Sequence, residues 1–142
     1  MFSKIIWATD GSENADHALE LAKQLAAQNG SVLYAVHSIE ELAGPGGRGA
    51  FPEFADEDER QAKIAKQVAD LVEQGINAQV KVVESGVTGA AHTLAKVAEE
   101  EGVELIVSGT RGHTPLTGLL LGSVTQRLLH LAPCPVLAVP PA

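Results

Sequence analysis

The stretch that decides the fold is residues 105–124, which read LIVSGTRGHTPLTGLLLGSV. It begins with Leu105-Ile106-Val107, a short continuous apolar run of the kind found in strands buried within a sheet. Gly109 ends that run, and Gly112 and Gly122 follow before apolar residues resume at helical spacing. Glycines permit positive φ and let a backbone approach an anion closely, while free N–H groups at a helix start attract phosphate. A strand, a glycine-rich loop and a helix start in this order predict a phosphate site.

The rest of the chain alternates strand patterns with helix patterns. This alternation predicts an α/β fold in which helices cover both faces of a parallel sheet. The predicted strands are residues 4–9, 31–36, 77–83, 105–108 and 136–139, and the predicted helices are about residues 13–29, 56–74, 88–101 and 123–131. In the second helix, the residues expected to face inward are Ile64, Val68, Leu71 and Val72.

Length and composition exclude several classes of protein. The 142 residues are expected to form one domain, residues 1–142. The net charge of −8 argues against nucleic acid or an anionic membrane as a partner. The sequence has no apolar run of about 18 residues, the length that a spanning helix needs. The single cysteine, Cys134, excludes an internal disulfide, so a cytoplasmic protein is expected.

The glycines of the opening stretch also carry a family resemblance. Their spacing, G-x2-G-x9-G-S from Gly109 to Ser123, resembles the nucleotide-binding signature of the universal stress protein family, in its ATP-binding branch. The turn WATDGS near the start and APCPVLAVP near the end extend the resemblance over the whole chain. The resemblance implies a three-layer, doubly wound, five-stranded parallel sheet of order 3-2-1-4-5, the adenine nucleotide alpha hydrolase-like fold. It also implies an ATP-binding, nucleotide-responsive homodimer involved in the stress response.

The implied strand order places a ligand site. Ligands of open parallel sheets bind beyond the carboxyl ends of the strands, where the strand order switches. The switch would lie between the first and fourth strands, so Asp10 and Gly109 would meet there. By resemblance, Asp10 is the carboxylate on the ribose or metal side, and Val36 is the backbone contact to the adenine edge. The expected nucleotide contacts are Ala8, Thr9, Asp10, Val36, Gly109, Thr110, Arg111, Gly112, Gly122, Ser123, Val124 and Thr125, with Mg²⁺ held through the ATP phosphates and by Asp10.

Some of these residues have structural interpretations that need no ligand. Ser123 with Gln126 matches the capping box S-x-x-Q, in which each side chain satisfies a backbone N–H. Asp10 could serve only to cap the first helix. Arg111 could reach phosphates or extend into solvent from a loop. The sequence leaves these alternatives open.

No catalytic residue is assigned. The chain lacks G-x4-G-K-[ST] and G-x-S-x-G, and its histidines form no pair at metal-ligand spacing. Gly44-x-Gly46-x-x-Gly49 matches the dinucleotide fingerprint, but it opens no immediate helix. The alternative functions are therefore a slow ATPase or adenylate-using enzyme with its chemistry in the same crevice, or a ligand-free structural stress protein.

Two further segments carry expectations. Residues 38–54 are rich in glycine and show no apolar period, which predicts a mobile flap beside the nucleotide. The last strand, Val136-Leu137-Ala138-Val139, is apolar throughout and would lie at a sheet edge in the implied order. Exposed apolar edges are normally covered or paired, so the sequence predicts a homodimer through this strand.

Overall fold

The structure is a computed structural model that describes residues 1–39, 57–110 and 122–141. Within these ranges the strands form one parallel sheet of order β3-β2-β1-β4-β5, which confirms the implied topology. The chain builds the sheet outward from β1 in one direction and then returns to the other side of β1 with β4. The strands are β1 (Lys4–Ala8), β2 (Val32–Ile39), β3 (Asn77–Glu84), β4 (Leu105–Gly109) and β5 (Val136–Val139).

Helices cover both faces of the sheet. They are α1 (Glu13–Asn29), α2 (Glu57–Glu73), α3 (Ala90–Glu101) and α4 (Ser123–Leu131), and a short 3₁₀ turn, Gly86–Thr88, precedes α3. The helices α1 and α2 pack on the face that carries Trp7, and α3 and α4 pack on the face that carries Ile6. The buried Trp7 ring donates its Nε1–H to the Ala15 carbonyl at 2.9 Å, which fixes the start of α1 against the sheet. No helix in the described ranges is both long and apolar enough to cross a membrane.

The predicted elements are all present, and three details differ. The strand β2 continues past Val36 to Ile39 because β3 pairs with it as far as Ile39 opposite Glu84. Ser38, expected to begin a loop, therefore belongs to a strand. The helix α3 begins at Ala90 rather than near Thr88, because the 3₁₀ turn occupies the preceding residues.

The third difference is Val72, which was expected to face inward and is 54% exposed. Ile64, Val68 and Leu71 are buried along one stripe of α2. Four residues advance about 40° beyond a full turn, so Val72 has rotated past the edge of that stripe.

Candidate functional site

A cavity of about 160 Å³ lies where the carboxyl ends of β1, β2 and β4 meet the starts of α1, α3 and α4. The residues that line it and that the sequence had predicted are Ala8, Thr9, Asp10, Val36, Gly109, Val124 and Thr125. The lining residues that sequence reasoning missed are Ala15, Ser38, Ala90, Leu94 and Ser108. The α3 residues Ala90 and Leu94 were missed because they reach the site only when that helix packs on the sheet.

The other predicted contacts lie around this cavity or outside the described ranges. Thr110, Gly122 and Ser123 are neighbours of lining residues in the chain but do not line the cavity themselves. The Gly122 N–H donates to the Thr110 carbonyl at 2.6 Å, so the chain leaves and re-enters the site at one place. Arg111 and Gly112 lie outside the described residues, as do residues 40–54 of the segment expected to form a flap.

The start of α4 excludes the capping box that the sequence had left open for Ser123. The N-cap residue is Gly122, with φ −72° and ψ 162°, so Ser123 is already the first helical residue and does not cap the helix. The φ of Gly122 is one that any residue adopts, so this glycine is not required for a positive φ. Its carbonyl accepts the Gln126 N–H at 3.0 Å.

Three donors remain at that helix start. In the described part of the chain, no acceptor faces the N–H groups of Ser123, Val124 and Thr125. The first turn of α4 also holds no acidic side chain. Unpaired N–H groups and the positive end of a helix dipole attract anions, so this end of the cavity can hold a phosphate.

Two hydroxyl groups donate to the carbonyl at the end of β4, one from α4 and one from β4 itself. The buried Thr125 donates its Oγ1–H to the Gly109 carbonyl at 2.8 Å, and Ser108 donates its Oγ–H to the same carbonyl at 3.0 Å. The Thr125 proton is therefore already engaged within the protein. This bond holds the first turn of α4 against the end of β4, where Val124 and Thr125 line the cavity.

The turn after β1 presents the one carboxylate among the described lining residues, Asp10. Its Oδ1 accepts the Ser12 N–H at 3.0 Å, while Ser12 is the N-cap of α1 and accepts the Ala15 N–H at 3.3 Å. The first helix is thus capped by Ser12 and not by Asp10. Gly11 has φ +81°, the left-handed conformation that favours glycine.

The helix α2 contacts this turn through the side chains of Lys63 and Arg60. Lys63 donates from Nζ to the Gly11 carbonyl at 2.9 Å and to Asp16 at 2.6 Å. A Cβ added to Gly11 would lie 3.2 Å from Cγ and 3.3 Å from Cβ of Arg60. A side chain at Gly11 would therefore require Arg60 of α2 to shift by a few tenths of an ångström.

His37 is a second connection between the turn and α2 that the sequence did not reveal. Its ring is buried, with Nδ1 3.0 Å from the Thr9 carbonyl and Nε2 2.9 Å from Oε2 of Glu57. A carbonyl can only accept, so Nδ1 carries a proton. The same Glu57 oxygen accepts from Gln61 at 2.8 Å. Its place directly after Val36, on the opposite face of β2, was the only sequence signal for this role.

The Val36 backbone, expected to contact the base, is partly engaged in the sheet. Its carbonyl accepts the Thr9 N–H at 3.0 Å. A carbonyl oxygen has a second lone pair, so one acceptor position is left for a ligand. Val36 also lines the cavity, together with Ser38 two residues further on the same face of β2.

The arrangement defines a doubly wound α/β protein with a ligand crevice at its switch point. Residues 1–140 match the model of the Universal stress protein family. Universal stress protein YxiE of Bacillus subtilis is 34% identical over 152 residues, covering 98% of this chain and 99% of YxiE. The chain therefore belongs to the universal stress protein family.

Solved structures share the fold. The structure of protein MJ0577, whose sequence comes from Methanocaldococcus jannaschii, matches with a TM-score of 0.81 at 30% identity, covering 100% of this chain and 98% of that one. A universal stress protein from Archaeoglobus fulgidus, solved in complex with dAMP, matches with a TM-score of 0.69 at 23% identity, covering 97% of each chain.

Proposed function

We propose that this universal stress protein binds an adenine nucleotide, ATP with Mg²⁺, in the cavity between β1 and β4. The observation that carries the proposal is the meeting of the unpaired N–H groups of α4 with Asp10 at one switch point. Phosphates would lie against the start of α4, where the donors face no other acceptor among the described residues. The fold also accommodates such a ligand in another protein, the Archaeoglobus fulgidus relative with dAMP.

The donor set suits magnesium held mainly by the nucleotide. The described residues contain no group of three or more His, Cys, Asp or Glu side chains that could hold a metal by themselves. Mg²⁺ is commonly bound by one or two carboxylates together with substrate phosphates. Asp10 would supply that carboxylate, and the ion would offset the negative charge that phosphates bring to an acidic chain.

The base would lie on the β2 side of the cavity. Ala8, Val36 and Leu94 line that side with apolar surface. Strands are about 4.8 Å apart, so β2 and β4 are separated by roughly 10 Å across β1. A nucleotide lying across these three strands would have its phosphates at α4 and its base at β2.

We also propose that the protein is a homodimer through β5 and acts in the cytoplasm in response to nucleotide. The strand β5 is an edge of the sheet, and all four of its residues are only partly buried. Two copies paired antiparallel through β5 would satisfy both edges and close the assembly. The single cysteine fits a reducing compartment.

The first prediction is that ATP with Mg²⁺ raises the thermal unfolding temperature. A ligand at 100 times its Kd adds about 2.7 kcal/mol to the free energy of unfolding. Gly122→Val is the site control, because its φ suits valine while a branched side chain at the N-cap of α4 would crowd a phosphate bound to the N–H groups that follow. The variant should keep its circular dichroism spectrum and lose the ATP shift. An unchanged midpoint for the wild type at millimolar ATP contradicts the proposal, and a shift with cyclic AMP alone would redirect it to that ligand.

A further inference from the structure

The carboxylate proposed for magnesium, that of Asp10, lies directly before a glycine. Gly11 has φ +81°, and glycine has more conformational freedom than any other residue. Mg²⁺ requires its ligands in a near-ideal octahedral arrangement. A carboxylate next to a glycine therefore suits this ion only if other contacts fix the backbone of the turn.

Three successive peptide units of this turn are each held by a hydrogen bond. The unit before Asp10 is held through the Thr9 carbonyl, which accepts Nδ1–H of His37 at 3.0 Å. The next unit is held by the Gly11 N–H, which donates to Thr9 Oγ1 at 3.1 Å. The unit after Gly11 is held through its carbonyl, which accepts from Lys63 Nζ at 2.9 Å. Because each peptide unit is planar, these bonds restrict the backbone dihedral angles of Asp10 and Gly11.

The first and last of these bonds both lead to α2. Lys63 belongs to that helix, and its Nζ also lies 2.6 Å from Oδ2 of Asp16 in α1. His37 is buried, and its Nε2 lies 2.9 Å from Oε2 of Glu57, the first residue of α2. We propose that this helix, through Lys63 and Glu57, positions the Asp10 carboxylate for Mg²⁺ and so strengthens nucleotide binding; this inference rests on the proposed function.

The positions of α2 and α4 separate the effect on magnesium from the effect on phosphate. The N–H groups proposed to bind phosphate belong to α4, which packs on the opposite face of the sheet from α2. A substitution in α2 that acts through Asp10 should therefore reduce what Mg²⁺ adds to ATP binding and leave the binding of metal-free ATP unchanged. A general loosening of the fold would weaken both.

The test is the ratio of two Kd values for ATP, one in EDTA and one at saturating Mg²⁺, measured by equilibrium dialysis. Lys63→Met removes the ammonium group, and Glu57→Ala removes the partner of His37. Each should lower the ratio about tenfold or more, the usual effect of losing a group that orients a metal ligand. Glu57→Gln should keep the wild-type ratio, because an amide also hydrogen-bonds an imidazole nitrogen. A wild-type ratio in Lys63→Met or in Glu57→Ala would overturn the inference.

Gln67→Met is the matched control on the same helix. The Gln67 side chain donates to Oδ1 of Asp16 at 2.9 Å, so this variant loses a contact between α1 and α2 and keeps the bond from Lys63 to Gly11. It should keep the wild-type ratio. An equally lowered ratio in Gln67→Met would show that any weakening of α2 has this effect, and it would overturn the inference.

Asp10→Asn tests whether the effect passes through that carboxylate. In this background Lys63→Met should lower the ratio no further, because groups that act through one another are not additive. A further decrease would overturn the inference. Equal Kd values for the wild type with and without Mg²⁺ would overturn it and leave nucleotide binding intact. If the wild type bound no ATP at all, the proposed function would be wrong as well.

Discussion

At the scale of single residues, Gly11 connects the turn after β1 with α2, which packs against it. Its φ of +81° disfavours any side chain, and a Cβ there would make a tight contact with Arg60, at 3.2 Å from Cγ. Gly30 has a similar φ of +64°, but a Cβ there would meet no atom within 4 Å. A substitution at Gly30 therefore measures backbone strain alone, and a substitution at Gly11 measures the same strain together with the contact to Arg60.

The second prediction compares Gly11→Ala with Gly30→Ala. Strain in the left-handed region should cost each variant about 1–2 kcal/mol of unfolding free energy. Gly11→Ala should cost more, because Arg60 must move, and it should also weaken nucleotide binding through the adjacent Asp10. Urea denaturation and ATP binding measure both effects. Equal stability losses in the two variants would show that the Arg60 contact is unimportant.

The sequence predicted single residues best where a local rule acts alone. At the start of α1, Ser12 caps the helix through the Ala15 N–H, and its neighbours along the chain decide that bond. The same reasoning allowed a capping box at Ser123, which the structure excludes, since Gly122 occupies the cap position. His37 was missed because its partners, Thr9 and Glu57, come from distant parts of the chain.

At the scale of elements, an ion pair connects β3 with the end of α3. Lys81 Nζ lies 2.9 Å from Glu101 Oε1, and it also lies 5.4 Å from the centre of the Tyr34 ring. The hydrogen bond and charge of Lys81 lower the pKa of Glu101 below its ordinary value. A lowered carboxyl pKa stabilises the folded state above the unfolded-state pKa of roughly 4.3 and ceases to do so as the pH falls through the folded-state pKa.

The third prediction follows from this pH dependence of the stability that Glu101 contributes. Lys81→Gln should be less stable than the wild type at pH 7, and the difference should shrink as the pH falls below about 4. Lys96→Gln is the control, because Lys96 and Glu100 are mostly exposed and 3.9 Å apart. Exposed pairs contribute little, so this variant should match the wild type throughout. Thermal unfolding from pH 7 to pH 3 measures the effect; a difference that stays constant with pH would contradict it.

Element existence was predictable from the sequence, and element ends were less so. Hydrophobic period identified every strand and helix now seen in the described ranges. The end of β2 was wrong by three residues, because Ile39 is held by pairing with Glu84 on β3. Where pairing with a neighbouring strand determines the end of a strand, the residues of the strand itself do not predict that end.

At the scale of the whole molecule, the free edge of β5 can be assigned atom by atom. The Pro135 carbonyl accepts the N–H of Ile106 in β4 at 3.0 Å, and the Val139 carbonyl accepts the N–H of Thr110, directly after β4, at 3.1 Å. Because backbone groups alternate direction along a strand, the N–H and C=O groups of Leu137 also point toward β4. The N–H groups of Val136 and Ala138 therefore point to the open edge.

The fourth prediction concerns the homodimer. Ala138→Pro removes a donor from the open edge, where proline is tolerated, and should convert the dimer to a folded monomer. Leu137→Pro removes a donor to β4 instead and should lower stability in either oligomeric state. Sedimentation velocity at micromolar concentration measures both. A wild-type monomer would contradict the proposed interface.

The strand order itself came from the family resemblance and not from hydrophobic period. Period identifies elements, but it does not say which strands are neighbours. Once the order β3-β2-β1-β4-β5 is known, Asp10 and Gly109 meet at the switch point. Ser38 and Leu94 could not be assigned to the site, because they enter it through the length of β2 and the packing of α3.

The most direct test of nucleotide binding is equilibrium dialysis of the purified protein against labelled ATP with Mg²⁺. The site at the start of α4 predicts saturation at one nucleotide per chain in the wild type, and no saturable binding in Gly122→Val. An absence of bound nucleotide in the wild type at millimolar ATP, with the protein folded, would contradict the claim that this cavity binds ATP.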